Sequence, residues 1–242
     1  MTSNSSNRVA IMQPYIFPYI GYIHLVYLSD KFVFYDDVTF IKHGWINRNN
    51  IVLSGREHRF SIPMTNLSSN VLIKDSLTFN MSSYKKKLLK QIALSYNQSS
   101  YKNSVLDYVD DVLNLSSPSI SELAISSIKK FFEYVGINKD FYKSSDRFAH
   151  TIGLGRVERL VSITKELNSN TYINLKGGSS LYSKKEFANK GVNLYFIESL
   201  PFTYRQCNLK DSHFIKNLSI IDIMMNLSAD EIRSKLASCI LI

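Results

Sequence analysis

The sequence has few of the residues that mark the simplest classes of protein. It contains two cysteines, Cys207 and Cys239, in 242 residues, which excludes a disulfide scaffold and a CxxC metal or redox pair. Nine glycines and five prolines exclude a collagen-like or low-complexity chain. No stretch approaches the ~20 consecutive apolar residues of a membrane-spanning helix. We therefore expect a soluble, folded protein of a reducing compartment, the cytoplasm, with no transmembrane segment.

The familiar catalytic and metal motifs are missing as well. No HExxH spacing, GxSxG elbow or P-loop occurs, so the sequence predicts neither a metal site nor these hydrolase and phosphate-binding classes. Of the five histidines, His24 falls within a predicted helix and is expected to be structural, whereas His43 lies in a polar cluster and is the better acid/base candidate.

Acidic residues are fewer than basic ones. Lys and Arg number 29 against 20 Asp and Glu, a formal net charge of +9, which favours an anionic partner. One hypothesis is an RNA-binding module, which would bind with a steep salt dependence. No recognised nucleic-acid motif accompanies the charge, and the local concentration from Lys85 to Lys90 equally fits a solvated helix face.

What is present is an alternation of short apolar runs and helical spacing. Arg8 to Met12 reads as a buried strand, Ile20 to Ser29 as a helix and Lys31 to Tyr35 as a second strand. A strand, helix, strand unit places its strands parallel, and the same rhythm resumes after residue 137. The sequence therefore predicts an α/β fold with a Rossmann-like, mostly parallel sheet.

Short β-type runs, Ile51 to Leu53, His58 to Ile62 and Leu77 to Phe79, are separated by turn signals and predict strands. The chain that follows them is helical. A third predicted helix opens with the S-x-x-E capping pattern of Ser119 and Glu122 and ends at Gly136. Two earlier helices are indicated by apolar residues at helical spacing: Leu88, Leu89, Ile92 and Tyr96, then Val105, Tyr108, Val109 and Val112.

These patterns predict a domain organisation. Residues 84–136 would be a helical subdomain inserted into an α/β domain made of residues 8–83 and 137–242, which carries the site. Residues 1–7, rich in Ser and Asn, would be disordered.

The turn after the first strand is the most unusual segment of the chain. Ligands of open α/β sheets bind beyond the carboxyl ends of the strands, which is where this turn should lie. Pro14 and Pro18 stiffen the turn and Gly21 allows a close approach at the helix start. The alternative is an aromatic-packed loop that serves only the fold. The candidate substrate-binding residues here are Gln13, Pro14, Tyr15, Pro18, Gly21 and Tyr22.

A second polar cluster follows the second strand. Asp36 and Asp37 are candidate general bases, while Lys42 and Arg48 are suited to phosphate or carboxylate. The alternative is that either carboxylate caps a turn and pairs with one of these cations. The candidate catalytic residues are Asp36, Asp37, Lys42 and His43, and the binding candidates are Trp45, Asn47 and Arg48.

A third candidate segment is the Gly-Gly-Ser-Ser turn after a later strand. Consecutive backbone N–H groups in such a turn can form an anion-binding nest, although a tight βα turn alone would need the same glycines. Gly177, Gly178 and Tyr182 are the binding candidates of this segment.

Taken together, these segments resemble the WbqC-like protein family. The matching segments are IMQPYIFPYIGY at 11–22, FVFYDDVTFIKHGWINRN at 32–49, YINLKGGSSLY at 172–182 and LSIIDIMMN at 218–226. The resemblance implies a bacterial protein of surface-polysaccharide (O-antigen, lipopolysaccharide) biosynthesis, for which glycine transfer has been proposed. The strand, proline-bounded turn and helix also look like the opening of the nucleotidylyltransferase and class I synthetase superfamily, with residues 18–22 in the place of its nucleotide-binding turn.

The resulting hypothesis is an aminoacyl transferase, in the first place a glycyl transferase, that forms an amide on a nucleotide-linked or lipid-linked amino sugar. The donor would be activated by ATP with Mg²⁺ or would arrive activated as a charged tRNA or a thioester. Asp36 or Asp37 would bind and deprotonate the acceptor amine, Lys42 and Arg48 would hold phosphate or carboxylate, and Trp45 would stack on sugar or base. Gln13, Tyr22, Asn47 and Tyr182 would orient the substrates.

The rival hypothesis is a non-catalytic nucleotide-sugar or glycan-binding accessory protein of the same pathway.

Overall fold

The computed structural model describes residues 7–65, 70–114, 119–207, 209 and 213–242. Six strands form one sheet: β1 (Arg8–Met12), β2 (Lys31–Phe34), β5 (Asp140–Lys143), β6 (Thr171–Leu175), β7 (Asn193–Ser199) and β8 (Cys239–Leu241). A separate antiparallel hairpin consists of β3 (Arg48–Leu53) and β4 (Arg56–Ser61).

The α-helices of the described ranges are α1 (Ile20–Leu28), α2 (Met81–Ser95), α3 (Lys102–Leu113), α4 (Ile120–Tyr134), α5 (Ser144–Arg147), α6 (Arg156–Glu166), α7 (Lys184–Asn189), α8 (Ile220–Asn226) and α9 (Ala229–Lys235). Short 3₁₀ helices occupy Ile73–Asp75, Ala149–Thr151 and Lys176–Leu181. No helix in these ranges has the length and apolar character needed to cross a membrane.

The strand order of the sheet is β5-β2-β1-β6-β7-β8, and every pair is parallel except β7 with β8. The chain builds outward from β1 through β2 to β5, then returns to the other side of β1 with β6 and β7. This confirms the predicted Rossmann-like α/β fold. It also fixes the point where the strand order reverses, between β1 and β6, which is where such sheets bind ligands.

The two sides of the sheet are covered by different layers. Val9 and Ile11 of β1 face a cluster with α6 and α7, while Ala10 points to the other side, toward α1 and the middle helices. Because both sides are buried, these strands are nearly continuous apolar runs, which is why the sequence pattern identified them. The predicted insertion 84–136 contains most of α2 to α4, whose buried residues share one core with Phe32 and Phe34.

Two details differ from the sequence-based expectation. Leu77 to Phe79, an apolar run expected to be a strand, makes only isolated bridges, Thr78 with Met64 and Leu77 with Ser119. Strand β8 was not anticipated, because a three-residue strand at the sheet edge leaves no alternation to detect. Of the expected disordered N-terminus, residues 1–6 lie outside the described residues. Asn7 is described, and its side-chain amide donates to the carbonyl oxygen of Asn168 at 2.6 Å.

Candidate functional site

A cavity of about 1270 Å³ lies at the carboxyl end of the sheet, where the strand order reverses. Met12 and Gln13 contribute from the end of β1, and Asn174 and Leu175 from the end of β6. The β3–β4 hairpin forms the facing wall. The topology therefore places the cavity at the expected ligand-binding crevice, and the hairpin covers the side that faces the ends of the strands.

Six of the residues singled out in the sequence line this cavity: Gln13, Tyr15, Trp45, Gly177, Gly178 and Tyr182. The structure places the other ten outside its lining: Pro14, Pro18, Gly21, Tyr22, Asp36, Asp37, Lys42, His43, Asn47 and Arg48. Most of those ten hold the lining residues in position.

The turn after β1, residues 13–19, is one of the segments that hold lining residues in position. Pro14 and Pro18 are buried, and Phe17 between them has a positive φ of 42°. Its carbonyl oxygen accepts hydrogen bonds from Asn49 Nδ2 and Ser219 Oγ, each at 2.8 Å. The hairpin and α8 therefore both fix this turn, which accounts for a left-handed conformation at a non-glycine residue.

Tyrosines form much of the cavity wall. Tyr15, Tyr19, Tyr35 and Tyr182 line it, and burial raises the pKa of all four, so that their hydroxyls stay protonated near neutral pH and donate hydrogen bonds. Tyr22 lies behind them, fully buried, and donates to the carbonyl oxygen of Gln13 at 2.9 Å. Tyr22 thus fixes the backbone of Gln13.

The ring of Tyr19 covers the first turn of α1. A Cβ added to Gly21 would fall 2.4 Å from Tyr19 Cε2, so glycine is required there by close approach of the ring. Tyr19 lines the cavity whereas Gly21 does not. The N-terminus of α1, which binds pyrophosphate in classical dinucleotide folds, is therefore covered by an aromatic side chain.

Asp36 and Asp37 are buried in hydrogen bonds behind the cavity wall. Asp36 accepts from the backbone N–H and the hydroxyl of Ser145 at 3.0 and 2.7 Å, and from Ser144 Oγ at 3.1 Å. Asp37 pairs with Arg159 at 2.6 Å, with both side chains buried. The cation that the sequence suggested for this pair was Lys42 or Arg48, whereas the structure supplies Arg159 from α6.

Arg159 connects Asp37 to the cavity. Its guanidinium lies over the ring of Tyr35, 4.7 Å from the centroid, and donates to the Tyr35 hydroxyl at 3.2 Å. A third hydrogen bond, from Nε to Thr151 Oγ1, measures 3.0 Å. Since the Tyr35 hydroxyl accepts from Arg159, its own proton can be donated to a group in the cavity. Asp37 therefore acts on the site through Arg159 and Tyr35.

The loop that precedes the hairpin carries its charges on the outside. Lys42 and His43 are exposed, and His43 has a φ of 63°. Asn47 is buried, with Nδ2 donating to the carbonyl oxygen of Ile62 at 2.9 Å, which joins the loop to the end of β4. These three residues shape the loop without facing the cavity.

The hairpin wall contains residues that the sequence did not single out. Asn50 and Arg59 face each other across the hairpin, and Arg59 Nε donates to Asn50 Oδ1 at 3.3 Å. The amide of Asn50 also donates to Glu57. Asn49, Asn50, Glu57 and Arg59 all line the cavity. Two β-type runs separated by a Ser-Gly turn indicated strands here, but no sequence pattern indicated that the hairpin folds over the sheet.

The two glycines of the third segment play different parts. Residues Lys176–Leu181 form a 3₁₀ helix, and neither Gly177 nor Gly178 has a positive φ. A Cβ at Gly178 would lie 3.3 Å from Asn174 Nδ2, whereas one at Gly177 would meet nothing within 4 Å. The 3₁₀ helix Lys176–Leu181 forms a rim of the cavity. There is free space beside Gly177 in this rim, whereas Gly178 packs against Asn174.

The charge of the lining is positive. Arg59, Arg156 and Lys216 line the cavity, against one carboxylate among the described lining residues, that of Glu57. Across the described ranges, no group of three or more His, Cys, Asp or Glu side chains is arranged to hold a metal ion. The arrangement offers hydrogen-bond donors, cations and a single proton acceptor to a polar, anionic ligand.

Comparison with known proteins places these features in a family. The model of the WbqC-like protein family matches residues 13–234. An uncharacterized protein of Mycobacterium tuberculosis (strain ATCC 25618 / H37Rv), Rv1507c, is 22% identical over 225 residues, which cover 92% of this chain and 95% of that protein. No solved structure shows a significant match. The family match spans nearly the whole chain, including every residue of the cavity lining except Ile11 and Met12, and the chain therefore belongs to the WbqC-like protein family.

Proposed function

We propose that the chain is an aminoacyl transferase, in the first place a glycyl transferase, that forms an amide on an amino sugar during bacterial surface-polysaccharide (O-antigen) biosynthesis. The observation that carries the proposal is the cavity at the strand-order reversal, with its tyrosines, asparagines and excess of cations. The amino sugar would be linked to a nucleotide or a lipid, and the transfer would take place in the cytoplasm.

The size of the cavity favours a reaction between two bound molecules. Its volume of about 1270 Å³ exceeds the ~300–1,000 Å³ of ordinary small-molecule sites. An activated glycyl donor and a sugar acceptor would fit side by side. Uncharged tyrosine hydroxyls and the amide of Asn174 are suited to sugar hydroxyls, because each offers a directed hydrogen bond without the desolvation cost of a charge.

Glu57 is our candidate general base, in preference to Asp36 or Asp37. The acceptor amine would attack the glycyl carbonyl carbon, the new C–N bond would form, and the bond to the activating group (adenylate, tRNA or thiol) would break. The proton lost by the amine would pass to the Glu57 carboxylate, which lies in the cavity and is oriented by Asn50. Asp37 would support this chemistry by holding Arg159 and, through it, Tyr35, while Asp36 would hold Ser144 and Ser145.

A specific observation also favours the non-catalytic alternative. Glu57 is exposed, whereas the two carboxylates that look most catalytic in the sequence are fully engaged behind the wall. An accessory protein that binds a nucleotide sugar would need the aromatic and cationic lining but no base.

The decisive experiment is a mass-spectrometric assay of the purified protein with glycine and a panel of nucleotide-linked amino sugars. Parallel mixtures would contain ATP with Mg²⁺, glycyl-tRNA or a glycyl thioester. We expect a sugar product heavier by one glycyl residue in one mixture, which would also identify the donor. Sugar-nucleotide binding without product in any mixture would contradict the transferase and support the accessory binder.

A further inference from the structure

A phosphate group in this cavity must bind elsewhere than in a classical dinucleotide fold. In those folds pyrophosphate lies against the N-terminus of the helix that follows the first strand. Here the ring of Tyr19 lies against Gly21 in that first turn. A diphosphate-linked ligand therefore needs a different set of donors.

The hairpin supplies one, in which Arg59 lines the cavity and Arg48, outside the lining, is held beside it on the ring of Trp45. Trp45 is 40% exposed at the cavity, and two guanidinium groups lie over its ring, with Arg48 Cζ at 5.8 Å and Arg59 Cζ at 5.5 Å from the centroid. Arg48 belongs to β3 and Arg59 to β4, two residue pairs apart in the register and therefore on the same face of the hairpin. Their approach is therefore set by the backbone of the hairpin and by the shared ring.

Neither arginine of this pair forms an ion pair with a carboxylate of the described residues, and Glu57 reaches Arg59 only through the amide of Asn50. Desolvation, together with the nearby charge of Arg59, lowers the pKa of Arg48. Within the same ranges, Arg48 Nε is buried and has no hydrogen-bond partner. An unused buried donor calls for a partner such as an ion, and arginine forks are suited to phosphate.

We propose that Arg48 and Arg59, aligned on the ring of Trp45, form the subsite for the diphosphate that links the amino sugar to its carrier. This deepens the proposed function and rests on it for the identity of the sugar. The planar fork of each guanidinium binds phosphate oxygens in a bidentate manner. Trp45 then serves to hold the two guanidiniums, a different role from stacking on a sugar or base.

The test uses the fluorescence of Trp45, which is the only tryptophan of the chain and lies within the proposed subsite. Inorganic pyrophosphate is titrated at constant ionic strength into the full-length protein and into Arg48→Gln and Arg59→Gln. Arg56→Gln is the matched control, because Arg56 is an exposed arginine of the same hairpin that does not line the cavity. Lys74→Gln is a second control, at an exposed lysine outside the cavity lining.

We expect saturable binding to the unmodified protein and to both controls. Loss of a charge-assisted hydrogen bond should weaken the affinity of Arg48→Gln and Arg59→Gln about 10- to 100-fold. Arg48→Lys and Arg59→Lys should lose less, since they keep the charge, and an unchanged far-ultraviolet circular dichroism spectrum excludes misfolding. Calorimetry with uridine diphosphate and with geranyl diphosphate distinguishes a nucleotide carrier from a lipid carrier.

Three results would overturn the subsite. These are absence of saturable binding of all three diphosphates, equal affinity of Arg59→Gln and the unmodified protein, or a loss in Arg156→Gln that exceeds the losses in the hairpin variants. The measurement needs no acyl transfer, so the two proposals can fail separately. Glycyl transfer with unchanged diphosphate affinity in the hairpin variants refutes the subsite, and arginine-dependent binding without transfer refutes the transferase.

Discussion

Two charged clusters of this molecule invite comparison: the end of β2, with Asp36 and Asp37, and the β3–β4 hairpin, with Glu57 and Arg59. At the end of β2 each carboxylate is buried and fully partnered, by Ser145 or by Arg159. On the hairpin the charges are exposed, and Glu57 and Arg59 share Asn50 between them. A buried charge stabilises a fold only when it is paired, while a charge kept for a ligand must remain accessible. The comparison assigns stability to the first cluster and ligand chemistry to the second.

The largest effect on turnover is expected of Glu57→Gln, which tests whether the hairpin cluster acts in catalysis. If Glu57 is the base, glycyl transfer should fall by about 100- to 10,000-fold, the usual contribution of a general base. The free energy of unfolding should change by less than about 0.5 kcal/mol, because the side chain is exposed. Turnover assayed by mass spectrometry and urea unfolding check the two halves. Full turnover in Glu57→Gln would remove Glu57 from the reaction, and Asp75→Asn serves as a control at a carboxylate outside the cavity lining.

The opposite result is expected of Asp37→Ala. This change leaves the Arg159 guanidinium buried without its counter-charge, which should cost about 3–5 kcal/mol of unfolding free energy. The control is Asp30→Ala, which removes the half-exposed pair with Arg8 and a hydrogen bond from the Arg8 backbone N–H, and should cost about 1–2 kcal/mol. Urea unfolding measures both. A loss at Asp37 no larger than at Asp30 would show that the buried pair does not stabilise the fold.

A milder test concerns the rim. Gly177→Leu places a side chain where nothing lies within 4 Å of a Cβ, at a backbone conformation open to any residue. We expect about tenfold weaker binding of a nucleotide-linked sugar, about 1.4 kcal/mol, with little change in stability. Gly178→Ala is the comparison, because its Cβ would crowd Asn174 and affect folding as well. Unchanged affinity by calorimetry in Gly177→Leu would place the ligand away from this rim.

The sequence was informative about the sheet and uninformative about the hairpin for one physical reason. Strands buried on both sides, such as β1 and β2, are continuous apolar runs, and a turn after β1 must lie at the ligand edge. Nothing local in the chain states which surface the hairpin covers, so Asn50, Glu57 and Arg59 were missed. The sequence also cannot distinguish a buried carboxylate from an accessible one, since the partner of Asp37 lies 122 residues away.

His24 is a buried ionisable group that forms no ion pair with a carboxylate of the described residues. With its proton on Nε2, the neutral ring donates to the carbonyl oxygen of Lys235 at 3.3 Å, and Nδ1 accepts from Ser199 Oγ at 2.9 Å. Burial lowers the pKa of His24 below its ordinary value of 6.5. As pH falls below about 6.5 the unfolded chain therefore takes up the proton first, and the native state loses stability.

Urea unfolding between about pH 7.5 and pH 5 should show this loss, and His24→Gln, which cannot titrate, should reduce it. Equal pH dependence of His24→Gln and the unmodified protein would mean that the ring is not held neutral. A protonated His24, buried and without an ion pair among the described residues, would need an acceptor for its second ring N–H. The hydroxyl of Ser199 can accept that hydrogen bond only by turning its own proton away.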